Sequence, residues 1–424
     1  MPTSKTFYLE TYGCAFNKSD SEILLGFLKQ HNFSTVPLKK ARCIIINSCA
    51  VKEPTEKRML WRIGELDKIA EKSGAKLVVY GCLPKINAKA IAEISGKIIQ
   101  IGPDLGGLAD YFHLNPAQNE LEIPEQRANK FISIIPICKG CLQNCAYCCT
   151  KFARGKLKSQ DILAINKRFR NAVRRTKEIW LTAQDCAAYG FDIKTNLAEL
   201  LEVLLQNKGG YRIRIGMMNP RHLMKIYDEF IAQFASPRIY KFLHIPLQSG
   251  SDRILKLMGR GYSANDFMKL AKNLKREFPE LALNTDIIVG FPSETEQDFR
   301  KTIGIIKRIR PDIVNISKFG ARPGTRAKEM ELQVDGAIIN RRSALLSGIC
   351  REIGLETNRE MIGKKARVLV SGKGSKSGFI GRAENYKPVL LRKNLLGKFV
   401  NVKITGAKQN YLECELQKSS LTNS

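Results

Sequence analysis

The stretch GCLQNCAYCCTKFARG, residues 140–155, places Cys141, Cys145 and Cys148 at the spacing C-x3-C-x2-C. Three thiolates can ligate three irons of a four-iron, four-sulfur cube, which leaves the fourth iron with an open coordination position. Zinc and ordinary packed thiols are the competing uses of such a cluster, but zinc ligands usually come as a C-x2-C pair with a second pair downstream. No second pair follows here.

Working outward, the apolar run FISIIPI precedes this stretch, and the runs EIWLT, YRIRIG, YKFLHIP, ALNTDIIVG and DIVNISK follow it. Helical patterns such as NLAELLEVLLQN, ANDFMKLAKNLKREF and EQDFRKTIGIIKRI separate them. Six strands with intervening helices predict a partial (β/α)6 barrel, whose chemistry lies on the loops that follow the strands. Those loops hold Cys141 to Cys148, Gln184 and Asp185, Met217 to Asn219, Gln248 to Gly250, Gly290 to Glu294, and Phe319 to Thr325. Tyr147 can stack on a planar ring or pack beside the thiols. Ser293 is expected to cap the next helix, with Glu296 completing a capping box.

Upstream, residues 5–112 alternate short apolar runs (TFYLETYG, ARCIIINSC, KLVVYGC, KIIQIG) with helical segments, the pattern of a parallel α/β sheet. Cys14, Cys49 and Cys82 follow three successive runs, so all three are expected at the carboxyl edge of the sheet, where such sheets bind ligands. Three cysteines at equivalent ends read as a second metal–sulfur site. Cys43, inside an apolar run, reads as core. Ser19 or Asp20 is the expected cap of the first helix. Residues 113–130, with Pro116 and Pro124, lose periodicity and read as a linker.

Downstream, residues 363–418 switch to five short alternating runs with Gly and Asn turns, which predict a small all-β barrel. Ten Lys and three Arg stand there against Glu384, Glu413 and Glu415, a net charge of +10. That charge suits an oligonucleotide partner, and Cys414 reads as packing. The whole chain of 424 residues carries a formal net charge of +30, a field that favours polyanions. No apolar run approaches the roughly 20 residues that span a bilayer. The start, MPTSKTFYLETYG, lacks the form of an export signal, so a cytoplasmic protein without membrane contact is expected. In that compartment twelve cysteines point to metal or redox use, not disulfides.

With these parts placed, the chain resembles the radical S-adenosylmethionine methylthiotransferases over nearly its whole length. The motifs TYGCAFNKSDSE, NSCAVKEPTEKR, VYGCLPK, GCLQNCAYC, ARGKLKS, HIPLQSGSDRILKLMGRGY and NTDIIVGFPSET look like that family's signatures. The resemblance implies a methylthiotransferase domain over residues 1–112, a radical-SAM barrel over 131–355 and a TRAM RNA-binding domain over 363–418. EIWLTAQDCAAYGFD and RIGMMNP are most similar to the archaeal and eukaryotic MtaB-like branch. The terminus LECELQKSSLTNS lacks the hydrophobic anchor of the eukaryotic members, and so matches the archaeal type better.

The family implies two [4Fe-4S] clusters, an auxiliary one on Cys14, Cys49 and Cys82 and a radical-generating one on Cys141, Cys145 and Cys148. It also implies S-adenosylmethionine, with Tyr147, Gln184, Asp185, Gln248, Ser249 and Asp286 as the contacts expected around it. The implied reaction is methylthiolation of C2 of N6-threonylcarbamoyladenosine at position 37, in the anticodon loop of tRNA. The implied electron donor is a protein such as a flavodoxin or ferredoxin. Methylthiolation of isopentenyladenosine (MiaB-type) or of a ribosomal-protein aspartate (RimO-type) are the alternatives, and a non-catalytic iron-sulfur RNA-binding protein is one of another class. The chain departs from the family pattern at Gln160, where arginine is common, at Thr176, where glycine is usual, and in its extra thiols Cys138 and Cys149.

Overall fold

In the computed structural model, which describes residues 5–115, 119–374 and 377–417, the chain divides into two units. Residues 1–4, 116–118, 375–376 and 418–424 carry parts of the expected first domain, linker, carboxyl-terminal barrel and tail, and lie outside the described residues.

The first unit takes in residues 1–128, 134–168 and 320–329. Its sheet consists of β1 (Thr6–Thr11), β2 (Ser34–Thr35), β3 (Cys43–Ser48), β4 (Lys76–Gly81) and β5 (Ile99–Ile101), all parallel and in the order β2-β1-β3-β4-β5. Side chains alternate across a strand, and here both faces are apolar. Cys43, Ile45, Val78 and Tyr80 pack with Leu24 and Phe27 of α1 (Ala15–Gln30). Ile44, Ile46, Leu77 and Val79 pack with Met59, Ile63 and Leu66 of α2 (Glu53–Ser73). Cys43 is therefore a core residue, as its surroundings in the sequence indicated.

The helix α1 starts earlier than expected. Cys14, in extended conformation, occupies the N-cap position, so Ser19 and Asp20 sit inside the helix and are buried. They cannot cap it because their side chains are turned inward, Asp20 toward a guanidinium described below. After β4 come the short helices α3 (Cys82–Ile86) and α4 (Ala88–Ala92), and α5 (Leu105–Phe112) closes the sheet beyond β5. The described residues of segment 113–130 hold one 3-10 turn, Glu120–Glu122, and pack against the unit. Ile123 joins the α1 face of the core, and buried Arg168 Nη1 donates to the carbonyls of Leu121 and Ile123.

The cysteine-rich loop also belongs to this unit. A short antiparallel hairpin, β7 (Cys138–Lys139) with β8 (Lys158–Ser159), follows β6 (Ile132–Pro136) and encloses the loop with its helix α6 (Thr150–Arg154).

The second unit takes in residues 129–133, 169–319 and 330–424. Here β9 (Glu178–Thr182) pairs in parallel with β10 (Arg212–Ile215), and β11 (Phe242–His244), β12 (Ala282–Val289) and β13 (Ile313–Lys318) form a parallel three-strand set. Helices Leu197–Leu205, Tyr227–Phe234, Ala264–Glu277 and Glu296–Ile309 alternate with these strands. This is the expected partial (β/α)6 barrel, counted from β6. The helix after β12 is capped by Thr295 with Asp298 in a capping box, in place of the expected Ser293 and Glu296. Ser293 has φ 69° and cannot take the extended conformation that an N-cap needs.

Five strands, β14 (Lys365–Lys373), β15 (Phe379–Arg382), β16 (Pro388–Leu391), β17 (Phe399–Ala407) and β18 (Leu412–Leu416), close into the small barrel. Val368, Val370, Val389, Val402 and Ile404 fill its interior, and Cys414 packs against it. Tyr386 anchors it within this unit: the ring lies against Tyr240 and Phe242, and its hydroxyl donates to buried Glu178 at 3.2 Å. Thr176 is explained by the same region, since its hydroxyl donates to the Phe131 carbonyl where a glycine would leave that oxygen without this donor. Among the described residues no helix is long and apolar enough to cross a membrane.

One buried carboxylate gives the first unit a pH dependence. Glu22 accepts from the Ala128 amide at 3.0 Å, while its other oxygen has no partner, and burial pushes its pKa up to about 7. The folded protein holds this proton more tightly than the unfolded chain, so its contribution to stability is lost as pH rises from about 4.5 through 7. Glu22→Gln should raise stability at pH 8 by about 3 kcal/mol and leave it nearly unchanged at pH 4. Denaturant unfolding at the two pH values measures the difference.

Candidate functional site

In the order β2-β1-β3-β4-β5 the connections leave β1 in opposite directions, and the crevice at that switch point opens beyond the carboxyl ends of β1 and β3. Cys14 lies just past β1, Cys49 directly follows β3, and Cys82 directly follows β4. Parallel pairing thus brings together three residues separated by more than thirty positions each. Cys49 and Cys82 are buried and Cys14 is exposed, so the triad meets solvent on the Cys14 side.

Asn17, in the first turn of α1 and 1% exposed, stands beside Cys14 and Cys82. Its Nδ2 donates to the carbonyls of Tyr12 and Ser48, each at 3.1 Å, joining the ends of β1 and β3. Its Oδ1 lies 3.6 Å from Cys14 Sγ and 3.9 Å from Cys82 Sγ. Two glycines make the approach possible. Gly13 has φ 106°, and a Cβ there would come within 2.8 Å of Cys49 Cβ. Gly81 has φ 101°, and a Cβ there would meet Asn47 Oδ1 at 2.5 Å.

Burial pushes the Cys82 thiol up to about 12 and raises that of Cys49, while the Arg154 guanidinium pulls both down. These thiols therefore hold their protons at neutral pH unless a metal takes the place of the proton. Among the described residues no three Cys, His, Asp or Glu side chains stand at metal-ligating geometry. The donor set nevertheless suits a sulfur-ligated metal: three thiols at one sheet edge, two of them facing a buried amide, with the charges of Arg154 and Arg322 acting on them.

The second cysteine set is held by backbone geometry. Gly140 has φ 77°, and a Cβ on it would lie 1.9 Å from the Lys156 carbonyl oxygen, so only glycine lets the loop leave β7 there. The Cys141 amide donates to the Gly155 carbonyl at 3.2 Å, closing the loop at its base. The Gln143 amide is 3.4 Å from Cys141 Sγ, a donor of the kind that supports a ligating sulfur. Segment 320–329 braces the loop from outside: the Ala327 amide donates to the Ala146 carbonyl at 2.9 Å, and Arg326 Nη2 to that of Asn144 at 3.1 Å. Tyr147 is half-buried next to Cys148. Cys149 points away into the core of the first unit, with its thiol 3.7 Å from the Ala50 carbonyl. Gln160 continues the hairpin through its amide, which donates to the Ile137 carbonyl at 2.9 Å.

In the second unit the expected cofactor contacts divide by environment. Asp185 is 2% exposed and ties two loops together: Oδ1 accepts from the amides of Ala187 and Asn219, and Oδ2 lies 2.6 Å from His222 Nδ1. Gln184 beside it is half-buried. Gln248 has φ 71°, its amide donates to the Asp286 carbonyl, and its side-chain Oε1 is buried without a partner. An orphaned acceptor held on a strained loop is what a bound ligand completes. Ser249 is fully buried, and its hydroxyl accepts from the Ser251 amide. Asp286 receives Asn315 Nδ2 at 2.8 Å and lies 2.9 Å from His244 Nε2. Asn17, Arg154, His222 and His244 have polar roles here that sequence reasoning did not assign. The motifs TYGCAFNKSDSE and ARGKLKS contained the first two, but nothing local shows that they meet.

Comparison with known proteins gives three matches along the chain. Residues 6–101 match the uncharacterized protein family UPF0004, residues 135–306 the radical SAM superfamily, and residues 359–416 the TRAM domain. The chain is 40% identical to a probable threonylcarbamoyladenosine tRNA methylthiotransferase of Pyrococcus horikoshii, covering 96% of this chain and 99% of that one. It is 33% identical to the threonylcarbamoyladenosine tRNA methylthiotransferase of Drosophila melanogaster, covering 96% and 77%. Among solved structures, the radical S-adenosylmethionine methyltransferase TsrM of Kitasatospora setae aligns with a TM-score of 0.58 at 13% identity, over 77% of this chain and 75% of that one. That likeness concerns the fold alone.

The glycine geometry gives a direct test. Gly140→Ala should lower stability by about 2 kcal/mol or more, because a left-handed backbone and a backbone clash coincide. It should also lower the iron retained after reconstitution, as read by iron analysis beside the wild type.

Proposed function

The chain belongs to the radical S-adenosylmethionine tRNA methylthiotransferases, and from that premise we propose that it methylthiolates C2 of N6-threonylcarbamoyladenosine at position 37 of tRNA, using two iron-sulfur clusters. The observation that supports this reading is the gathering of Cys14, Cys49 and Cys82 at one sheet edge, with Cys14 and Cys82 facing Asn17, in the same unit as the loop of Cys141, Cys145 and Cys148. One set of three thiolates suffices for radical generation. A second set is what a transferase that also inserts sulfur requires.

Cys141, Cys145 and Cys148 would hold the cluster that binds S-adenosylmethionine, and Cys14, Cys49 and Cys82 the auxiliary one. When bound, these groups supply a radical able to take hydrogen from an unactivated C–H, and the sulfur that replaces it. The chain's own residues hold, orient and exclude. Gly140, the hairpin and segment 320–329 keep the second thiol loop in place, and Asn17 fixes the strand ends that carry the first. Gln248, with its unpartnered Oε1, is the foremost S-adenosylmethionine contact of the second unit, supported by Gln184, Ser249 and Asp286. Asp185 acts there as a positioning residue through His222 and Asn219. In the first unit Tyr147 is the candidate for stacking on the adenine. Reduction needs a one-electron protein donor such as a flavodoxin or ferredoxin.

The tRNA is met by charge. Ten Lys and three Arg in residues 363–418 release condensed counterions on binding and bring the polyanion in. The family's methylthio acceptor, an anticodon-loop base, is unpaired and can be presented to an active site without opening a duplex.

Cys145→Ala should abolish formation of 5′-deoxyadenosine from S-adenosylmethionine. Cys49→Ala should retain it and lose methylthiolated tRNA. Mass spectrometry of tRNA nucleosides from a strain lacking the protein should show no 2-methylthio-threonylcarbamoyladenosine; unchanged nucleosides would refute the assignment.

A further inference from the structure

Arg154, the last residue of α6, reaches from the cysteine-rich loop to the other cysteine set. It is 9% exposed, and its guanidinium lies over the Phe16 ring at 4.7 Å. Its Nη2 does double duty, donating to Asn17 Oδ1 at 3.0 Å and to Asp20 Oδ2 at 2.6 Å. Asn17 Oδ1 is the same atom that faces the sulfurs of Cys14 and Cys82. The guanidinium is thus one atom removed from two of the three thiols. Its Nη1 is buried and has no hydrogen-bond partner.

A buried N–H left without an acceptor costs roughly 1–3 kcal/mol, and such groups persist where something outside the protein completes them. A second buried cation is arranged in the same way. Arg322, 5% exposed, binds Glu56 through Nη2 and keeps a buried, unpartnered Nε, with its charge acting on Cys49. Arg154 differs in acting on both Cys49 and Cys82.

We propose that Arg154 is the positioning cation of the Cys14, Cys49 and Cys82 site, donating its free Nη1 to a sulfur of the cluster held there and thereby raising that cluster's reduction potential. The inference rests on the assignment of a cluster to these cysteines. Its physical basis is charge: three thiolates make the site anionic, each added electron increases that charge, and a buried guanidinium stabilises the reduced form more than the oxidised one. Asp20 moderates the effect. It offsets only part of the guanidinium's charge at the site, and it holds the guanidinium in the orientation in which Nη2 is used and Nη1 is spare.

The test uses the full-length chain with Cys141, Cys145 and Cys148 all replaced by Ala, so that the other triad alone can hold iron. After reconstitution, iron content is measured and the midpoint potential is read by redox titration with electron paramagnetic resonance. The double substitution Asp20→Asn with Arg154→Met removes the pair without stranding a buried carboxylate. It should move the midpoint to a more negative value and weaken iron retention roughly 10- to 100-fold. Asp20→Asn alone, which leaves the cation uncompensated, should move the midpoint the opposite way. Arg154→Lys, which keeps the charge and loses the fork, should move the midpoint in the same direction as the double substitution but by less. An unchanged midpoint and unchanged iron retention in the double variant overturn the proposal while leaving the cluster assignment intact. Failure of the protein with Arg154 and Asp20 intact to bind any cluster overturns the assignment itself, and the inference with it.

Discussion

The amide of Asn17 is where the first unit is tied together. Two backbone carbonyls, those of Tyr12 and Ser48, take its nitrogen, and a guanidinium from a distant loop takes its oxygen. No alternative orientation satisfies the three partners, since a guanidinium only donates and a carbonyl only accepts. One side chain thereby fixes the spacing of β1 and β3, the start of α1 and the position of Arg154. The sulfurs of Cys14 and Cys82 are placed as a consequence. A buried amide in full use is rigid, and rigidity is what a ligand site carried by loops otherwise lacks.

The region also carries imperfections that are informative. Asn47 Oδ1, Arg154 Nη1 and Arg322 Nε are buried without partners, within a unit whose apolar core is well filled. Polar groups of that kind are normally satisfied in native proteins. Arg154 and Arg322 are the two of these whose charge acts on the cysteines. In the second unit Gln248 Oε1 is of the same kind, on a residue with φ 71°. In each unit apolar strands and helices supply the frame, and the cysteines and Gln248 stand on segments that follow the strands.

Much of this was legible in the residues. Apolar runs of five to eight residues alternating with helical patterns announced the parallel sheet, since a strand buried on both faces must be apolar throughout. The five short alternating runs near the end became β14 to β18 one for one. Helix starts were less legible. Ser19 and Asp20 have the chemistry of caps, but their burial against other parts of the unit overrode that local preference, and Thr295 displaced Ser293 because the latter's backbone is left-handed. Local signals decide a cap only where no tertiary partner competes for the side chain.

By itself the sequence determined which residues could ligate a metal and at which strand ends they would lie, because spacing and hydrophobic period are local properties of a chain. It also determined the charge of the terminal barrel. Only the tertiary structure decided that Arg154, six residues beyond Cys148, meets Asn17 and Asp20, and that Arg322 meets Glu56. Those pairings span more than a hundred residues. They depend on how loops from separate strands close over a common edge, which no periodicity encodes. The cysteines of the site are written in the sequence, and the charges that surround them are set by packing.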